Sequence, residues 1–135
     1  MVLNETWLTV KRNTVPVNTH IIPTMWVYDI KLDEYGNVTR EKGRLVVMGN
    51  TQKPGVDFTH TYAPTPSLIS LRCCLYFSVA RGHDIMQVDV RNAFLQGSLT
   101  DTVYLQQLPG YIIGEEGDIL QLLKPLYGLR QSAYC

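Results

Sequence analysis

Residues 25–48 read MWVYDIKLDEYGNVTREKGRLVVM, and the fold class turns on how this stretch is read. Trp26, Tyr28 and Ile30 alternate with Val27, Asp29 and Lys31. That period of two is the signature of a strand with two unlike faces. Asp33-Glu34-Tyr35-Gly36-Asn37 then carries turn chemistry, with Gly36 free to take a positive φ. Gly43 to Met48, GRLVVM, returns as β-branched and aliphatic sequence. The stretch predicts a β-hairpin.

Upstream, residues 13–24, NTVPVNTHIIPT, are polar with two prolines and read as a connecting loop. Before them stands a short apolar-aromatic patch, Trp7-Leu8-Thr9-Val10. Downstream, residues 49–66 are rich in Gly, Thr and Pro and read as irregular. Thr65-Pro66 has the form of an N-cap followed by proline at the first helical position. Leu68, Leu71, Leu75 and Val79 follow at helical spacing, so a helix with one buried face is expected over 66–80, closed by Gly82. Ile85 to Val90 alternates again and predicts a strand, with Met86, Val88 and Val90 on one face. Shorter strands are expected at 103–106 and 118–123, and LYGLRQSAYC at 126–135 as a loop entering a helix. Hairpin, helix and further strands together give an α+β class.

Composition narrows the function classes. At 135 residues and 45% hydrophobic, the chain suits one domain with a real core and is not disordered. No apolar run approaches the about 18 residues of a membrane span, and MVLNETWLTVKRN lacks a signal peptide's apolar segment, so an intracellular, cytoplasmic, unsecreted protein is expected. Lys plus Arg equals Asp plus Glu at twelve each, whereas a polyanion-binding module carries a basic excess. Weak or no nucleic-acid binding by the chain alone is therefore expected. Cys73, Cys74 and Cys135 have no CxxC spacing, and His20, His60 and His83 no ligand spacing, so neither a disulfide framework nor zinc is indicated.

Asp89 is the residue that chemistry singles out. Val88-Asp89-Val90 sets an acid among β-formers, where an unpaired charge is costly. A cation, a hydrogen-bond donor, a salt bridge to a nearby Arg such as Arg91, or plain exposure at a strand end would each satisfy it.

The string around Asp89 goes further. QVDVRNAFLQGSL at 87–99, VYLQQLPGY at 103–111 and LKPLYGLRQ at 123–131 closely resemble the copia-type retrotransposon reverse transcriptases. So do NETWLTV at 4–10, MWVYDIKLDEYGNV at 25–38, KGRLVVMGNTQ at 42–52, GVDFTHTYAP at 55–64 and the helix holding Arg72. The likeness runs in family order from about residue 4 to residue 133, and the ordered set is far more specific than any one piece.

The resemblance implies a right-hand polymerase fold, with residues 1–66 as fingers and 67–135 as the start of the palm. It implies an RNA-directed DNA polymerase with Mg2+ as cofactor and an RNA template, a DNA primer and deoxynucleotides as partners. Asp89 would be the first of three metal-binding carboxylates, helped by the backbone carbonyl of Val90. Phe94 would pack under the incoming sugar and reject a ribose 2′-hydroxyl. Tyr127, Gly128 and Gln131 would shape the nucleotide pocket. Lys42, Arg44 and Arg130 would contact triphosphate or the nucleic-acid backbone; Arg72, on the helix, reads as structural.

The sequence also departs from the family. The adjacent pair of aspartates that completes the catalytic set is missing from these 135 residues. Met25, Asp29, Met48 and Asn50 replace residues that are commonly basic or aromatic, and Ser132-Ala133-Tyr134-Cys135 replaces an Ala-Pro and Trp pattern. The expectation is a polymerase segment that is inactive alone. The alternatives are a non-catalytic remnant that binds nucleic acid or a polymerase, and a decayed product without function.

Overall fold

The structure is a computed structural model describing residues 5–90 and 92–135. The hairpin forms as the alternation requires. Strands β3 (Thr24–Leu32) and β4 (Val38–Val47) pair antiparallel from Thr24↔Val47 to Leu32↔Val38, with a register shift at Lys31/Leu32. The turn is organised by Asp33, whose carboxylate accepts from the Tyr35 amide at 2.9 Å, the Asn37 amide at 2.8 Å and the Asn37 side chain at 3.0 Å. Gly36 takes φ +83°, a conformation costly to other residues. The tip is exposed on both faces; the base is buried at Leu45 and Val47.

A four-stranded sheet lies against that base. Its order is β1-β6-β5-β2, formed by β1 (Trp7–Val10), β2 (Ile21–Ile22), β5 (Val103–Leu105) and β6 (Ile119–Leu122). β6 pairs antiparallel with β1 and with β5, and β2 pairs parallel to β5. The sheet thus draws strands from both sides of residue 66. The core fills the space between sheet and hairpin: Ile22, Leu45, Val47, Leu95, Val103, Leu105, Leu120, Leu122, Leu126 and Leu129 form one cluster. Each such side chain contributes on the order of 1.5–3 kcal/mol of burial. The excursion between β5 and β6 is tied by Gln107, which accepts from the Ile113 amide and donates to the carbonyls of Ile113 and Asp118, each at 2.9 Å. Trp26 on β3 donates its indole N–H to the Pro109 carbonyl at 3.0 Å, so hairpin and excursion are joined.

Five expectations need correction. The 13–24 segment is not all loop: it holds the end of a 3-10 turn and β2, whose Ile22 is buried. The helix α1 spans Leu68–Ala80 and is capped by Ser67 rather than Thr65; the Ser67 hydroxyl accepts from the Ser70 amide at 3.1 Å. The face carrying Leu68, Leu71, Leu75 and Val79 is not buried either, and Ile69, Tyr76 and Phe77 are exposed beside it. An all-round apolar helix of this kind belongs inside a larger core. Residues 85–90 form no strand, although Met86 (84% exposed), Val88 and Val90 alternate as one would, because no described strand lies alongside to pair with. Alternation states which face an extended segment offers; only a partner ladder makes it a sheet. Finally, residues 126–135 are a succession of turns rather than the start of a helix, held by amide bonds such as Tyr134 to the Gln131 carbonyl at 2.9 Å.

Candidate nucleotide site

Residues far apart in sequence meet at a cleft of about 600 Å³ lined by Arg40, Lys42, Asp89, Val90, Asn92 and Tyr127. Three segments supply them. The first is β4, where Arg40, Lys42 and Arg44 share a face through the period of two. The second supplies Asp89, Val90 and Asn92. Asn92 sits in the left-handed region at φ 51° and opens a turn in which the Leu95 amide donates to its carbonyl at 2.8 Å. Leu95 itself is buried in the core, so the turn is anchored by packing. The third is Tyr127.

Tyr127 is set by backbone contacts. Its carbonyl accepts from the Val47 amide at 2.8 Å, which bolts residue 127 to the end of β4. Gly128 follows at φ +93°, flush against the hairpin: a Cβ there would collide with the Val47 carbonyl oxygen and stand 2.6 Å from Val46 Cγ1. On the hairpin side, a Cβ at Gly49 would collide with the Gly128 carbonyl oxygen. Two backbones approach so closely only where neither residue has a side chain. The Phe94 ring then meets the Tyr127 ring edge-on, with centroids 4.7 Å apart and planes at 82°.

Behind the cleft runs a buried polar network. The Gln52 side-chain oxygen accepts from the Arg130 amide at 2.9 Å, and its nitrogen donates to the Gln131 side-chain oxygen at 3.1 Å. The Gln131 nitrogen donates in turn to the Asp57 carbonyl at 3.0 Å. The Asp57 carboxylate accepts from the Lys53 amide and meets His20 Nδ1, both at 2.6 Å. Arg130 donates from Nε to the Gly49 carbonyl at 3.1 Å.

The residues singled out from sequence thus separate into two groups. Asp89, Val90, Lys42 and Tyr127 line one cleft, and Phe94 adjoins it through Tyr127. Gly128, Arg130 and Gln131 belong to the support behind it, with Gln131 only 2% exposed and both ends of its amide engaged. Arg44 stands apart, 3.8 Å from the Asp29 carboxylate. Arg91 lies outside the described residues. Sequence reasoning passed over Arg40, Asn92 and Gln52. Arg40 was findable, being two residues before Lys42 on an alternating strand; Asn92 and Gln52 give no signal before the chain is folded.

For a metal, the cleft offers hard oxygen donors in the Asp89 carboxylate and the Val90 backbone carbonyl. These fit magnesium in kind but fill only part of its six-oxygen shell. Among the described residues no group of three or more His, Cys, Asp or Glu is placed to hold a metal ion. Among the described residues the ion pairs are Lys11 with Glu115 and Asp118, His20 with Asp57, and Arg44 with Asp29, and none of them engages Arg40, Lys42 or Asp89.

The family model for reverse transcriptase (RNA-dependent DNA polymerase) matches residues 4–135. The chain belongs to the reverse transcriptase family. Among the relatives of this reverse transcriptase segment, the retrovirus-related Pol polyprotein from transposon RE2 of Arabidopsis thaliana is 39% identical over 130 residues, 96% of the chain and 9% of the polyprotein. The Pol polyprotein from transposon TNT 1-94 of Nicotiana tabacum is 34% identical over 125 residues, 92% of the chain and again 9% of the polyprotein. These two relatives are Pol polyproteins of copia-type transposons, and the segment spans only that small share of their length. No solved structure matches it.

Proposed function

We propose that the cleft is one wall of the nucleotidyl-transfer site of an RNA-directed DNA polymerase with a right-hand fold, taking an RNA template, a DNA primer and deoxynucleotides. In this reading residues 1–66 are fingers and residues 67–135 begin the palm. The observation that carries it is the meeting of Arg40 and Lys42 with Asp89 and Val90 in one cleft, with the Phe94–Tyr127 ring pair at its edge.

Each residue has a physical task. Arg40 and Lys42 supply two cations without a carboxylate partner, which attract and orient a triphosphate. Asp89 and the Val90 carbonyl supply oxygen donors to magnesium, which when bound neutralises phosphate charge and stabilises both the attacking and the leaving oxygen. Phe94, braced by Tyr127, presents ring edge and bulk where a sugar lies, so an added 2′-hydroxyl meets a clash rather than a partner. Gly128 lets the strand end and the pocket backbone touch. One carboxylate does not complete a two-metal site, so the 135-residue chain alone catalyses no extension.

Primer extension on an RNA template, with magnesium or manganese, tests this twice. The pure chain should give no product above background. Fused through residue 131 to the downstream palm and thumb of the RE2 polyprotein, it should give weak extension that Asp89→Asn reduces to background. Full activity of Asp89→Asn in the fusion refutes the site.

A further inference from the structure

We infer that Gln52 is a positioning residue for the nucleotide pocket, holding the Tyr127–Gln131 segment in register with the cation-bearing strand β4. The inference rests on the proposed reading of the cleft and deepens it. Gln52 touches nothing in the cleft. It lies at the end of the short 3-10 turn Gly49–Thr51 that leaves β4, and it is 5% exposed. Both halves of its amide are used on one opposing segment: the oxygen on the Arg130 amide, the nitrogen on the Gln131 side chain.

The geometry makes these bonds more than filler. The 49–52 turn clasps residues 128–131 at four points: the Gly49–Gly128 backbone contact, Arg130 Nε on the Gly49 carbonyl, and the two Gln52 bonds. Only Gln52 contributes a side chain from the hairpin side. The Gln131 side chain is 2% exposed and the Arg130 amide is part-buried, so loss of Gln52 leaves the Gln131 side-chain oxygen buried without its donor and takes from the Arg130 amide the acceptor it has here. The response open to the segment is to move. Tyr127 and Phe94, which form the pocket edge, then move relative to Arg40 and Lys42. A buried, fully satisfied network is the means by which a loop is fixed to within a fraction of an ångström.

The consequence is specific. A segment that has drifted still binds metal at Asp89 but presents the nucleotide poorly. Binding of the incoming deoxynucleotide should suffer more than the chemical step.

Two measurements test it. In the 135-residue chain, residue-resolved amide exchange at Arg130 and at Val47, whose amide is bound by the Tyr127 carbonyl, should quicken about tenfold in Gln52→Ala, as loss of roughly one such bond predicts. Exchange at Ile113, held independently by Gln107, should not change. Gln52→Met keeps the volume and removes only the hydrogen bonds, so it should fold and show the same pattern. In the RE2 fusion, either variant should raise KM for deoxynucleotide about three- to tenfold with kcat changed less than about twofold. Unchanged exchange at Arg130 and Val47 in Gln52→Met overturns the positioning role, as does a loss confined to kcat. Retained activity in Asp89→Asn refutes the reading of the cleft instead, and the exchange measurement still decides Gln52.

Discussion

Gly128→Ala is the sharpest probe of how the site is assembled, because two energetic contributions can be separated by a matched control. Gly128 and Gly36 both take a positive φ, at +93° and +83°. A side chain in that region costs about 1–2 kcal/mol wherever it stands. At Gly36 an added Cβ finds nothing within 4 Å. At Gly128 it meets the Val47 carbonyl oxygen and Val46 Cγ1, both on β4. Backbone cannot swing aside as a long side chain does, so the strand and the 127–131 segment must part. The bond from the Val47 amide to the Tyr127 carbonyl, about 1 kcal/mol, goes with them. Gly128→Ala should therefore cost roughly 3–5 kcal/mol and Gly36→Ala about 1 kcal/mol. For a chain of 135 residues, where 1 kcal/mol shifts Tm by about 3–5 °C, that means a fall of about 10–20 °C against about 4 °C. Denaturant and thermal unfolding of the two variants, followed by tryptophan fluorescence of Trp7 and Trp26, measure it. Equal losses in the two variants would refute the close approach of β4 and residue 128 on which the cleft depends.

Other perturbations reach other parts of the argument. Phe94→Val in the RE2 fusion should spare deoxynucleotide incorporation and raise ribonucleotide incorporation, and unchanged sugar discrimination would remove Phe94 from the gate role. Arg40→Ala and Lys42→Ala should each raise the KM for deoxynucleotide several-fold, while Arg44→Ala, whose guanidinium is already engaged with Asp29, should do so less; equal effects at all three would show that the Asp29 pairing does not withhold Arg44 from the nucleotide. Asp33 is held below its ordinary 3.8, first by the Asn37 side chain and then by backbone amides. A depressed carboxylate stabilises the fold above its unfolded pKa and loses that contribution as pH falls through the folded value. Order at the hairpin tip should thus persist at pH 4 and fade only below it; an Asp33 that titrates at or above 3.8 by NMR would contradict the turn geometry. The exposed apolar surface of α1 and residues 85–90 should make the chain self-associate, and a sharp monomer in sedimentation would count against that.

How much of this was legible beforehand depends on whether the signal was local. The hairpin was readable because alternation, turn chemistry and returning strand all lie within 25 consecutive residues and agree. Strands at 103–105 and 119–122 were readable for the same reason, as short apolar runs between turn residues. The strand expected at 85–90 has equally good alternation, yet alternation describes one segment and a strand needs two. Helix α1 shows the same gap in another form. Its register of Leu68, Leu71, Leu75 and Val79 identified the helix, but nothing in a single helix's sequence says which surface will cover it, and among the described residues nothing does.

The site divides along the same line. Asp89 was visible because a charge inside an apolar run is conspicuous, and Phe94 because of its spacing from Asp89 in a recognisable family string. Gln131 came with that string too, but its surroundings did not: the residues that engage it, Gln52 and Asp57, lie more than 70 positions away and make their bonds only after β4 and the 126–131 turns have docked. A glutamine in a loop carries no mark of burial. Its neighbours decide whether it faces a ligand or braces a backbone, and here the pair Gln52 and Gln131 satisfy each other. The chemistry of the cleft was therefore foreshadowed by residue type, whereas the positioning of that chemistry was not, because positioning belongs to pairs of residues that sequence keeps apart and packing brings together. That is why the Gln52→Met experiment carries weight beyond one residue: it removes two hydrogen bonds, substitutes no residue of the cleft, and asks whether the wall still stands where the nucleotide needs it.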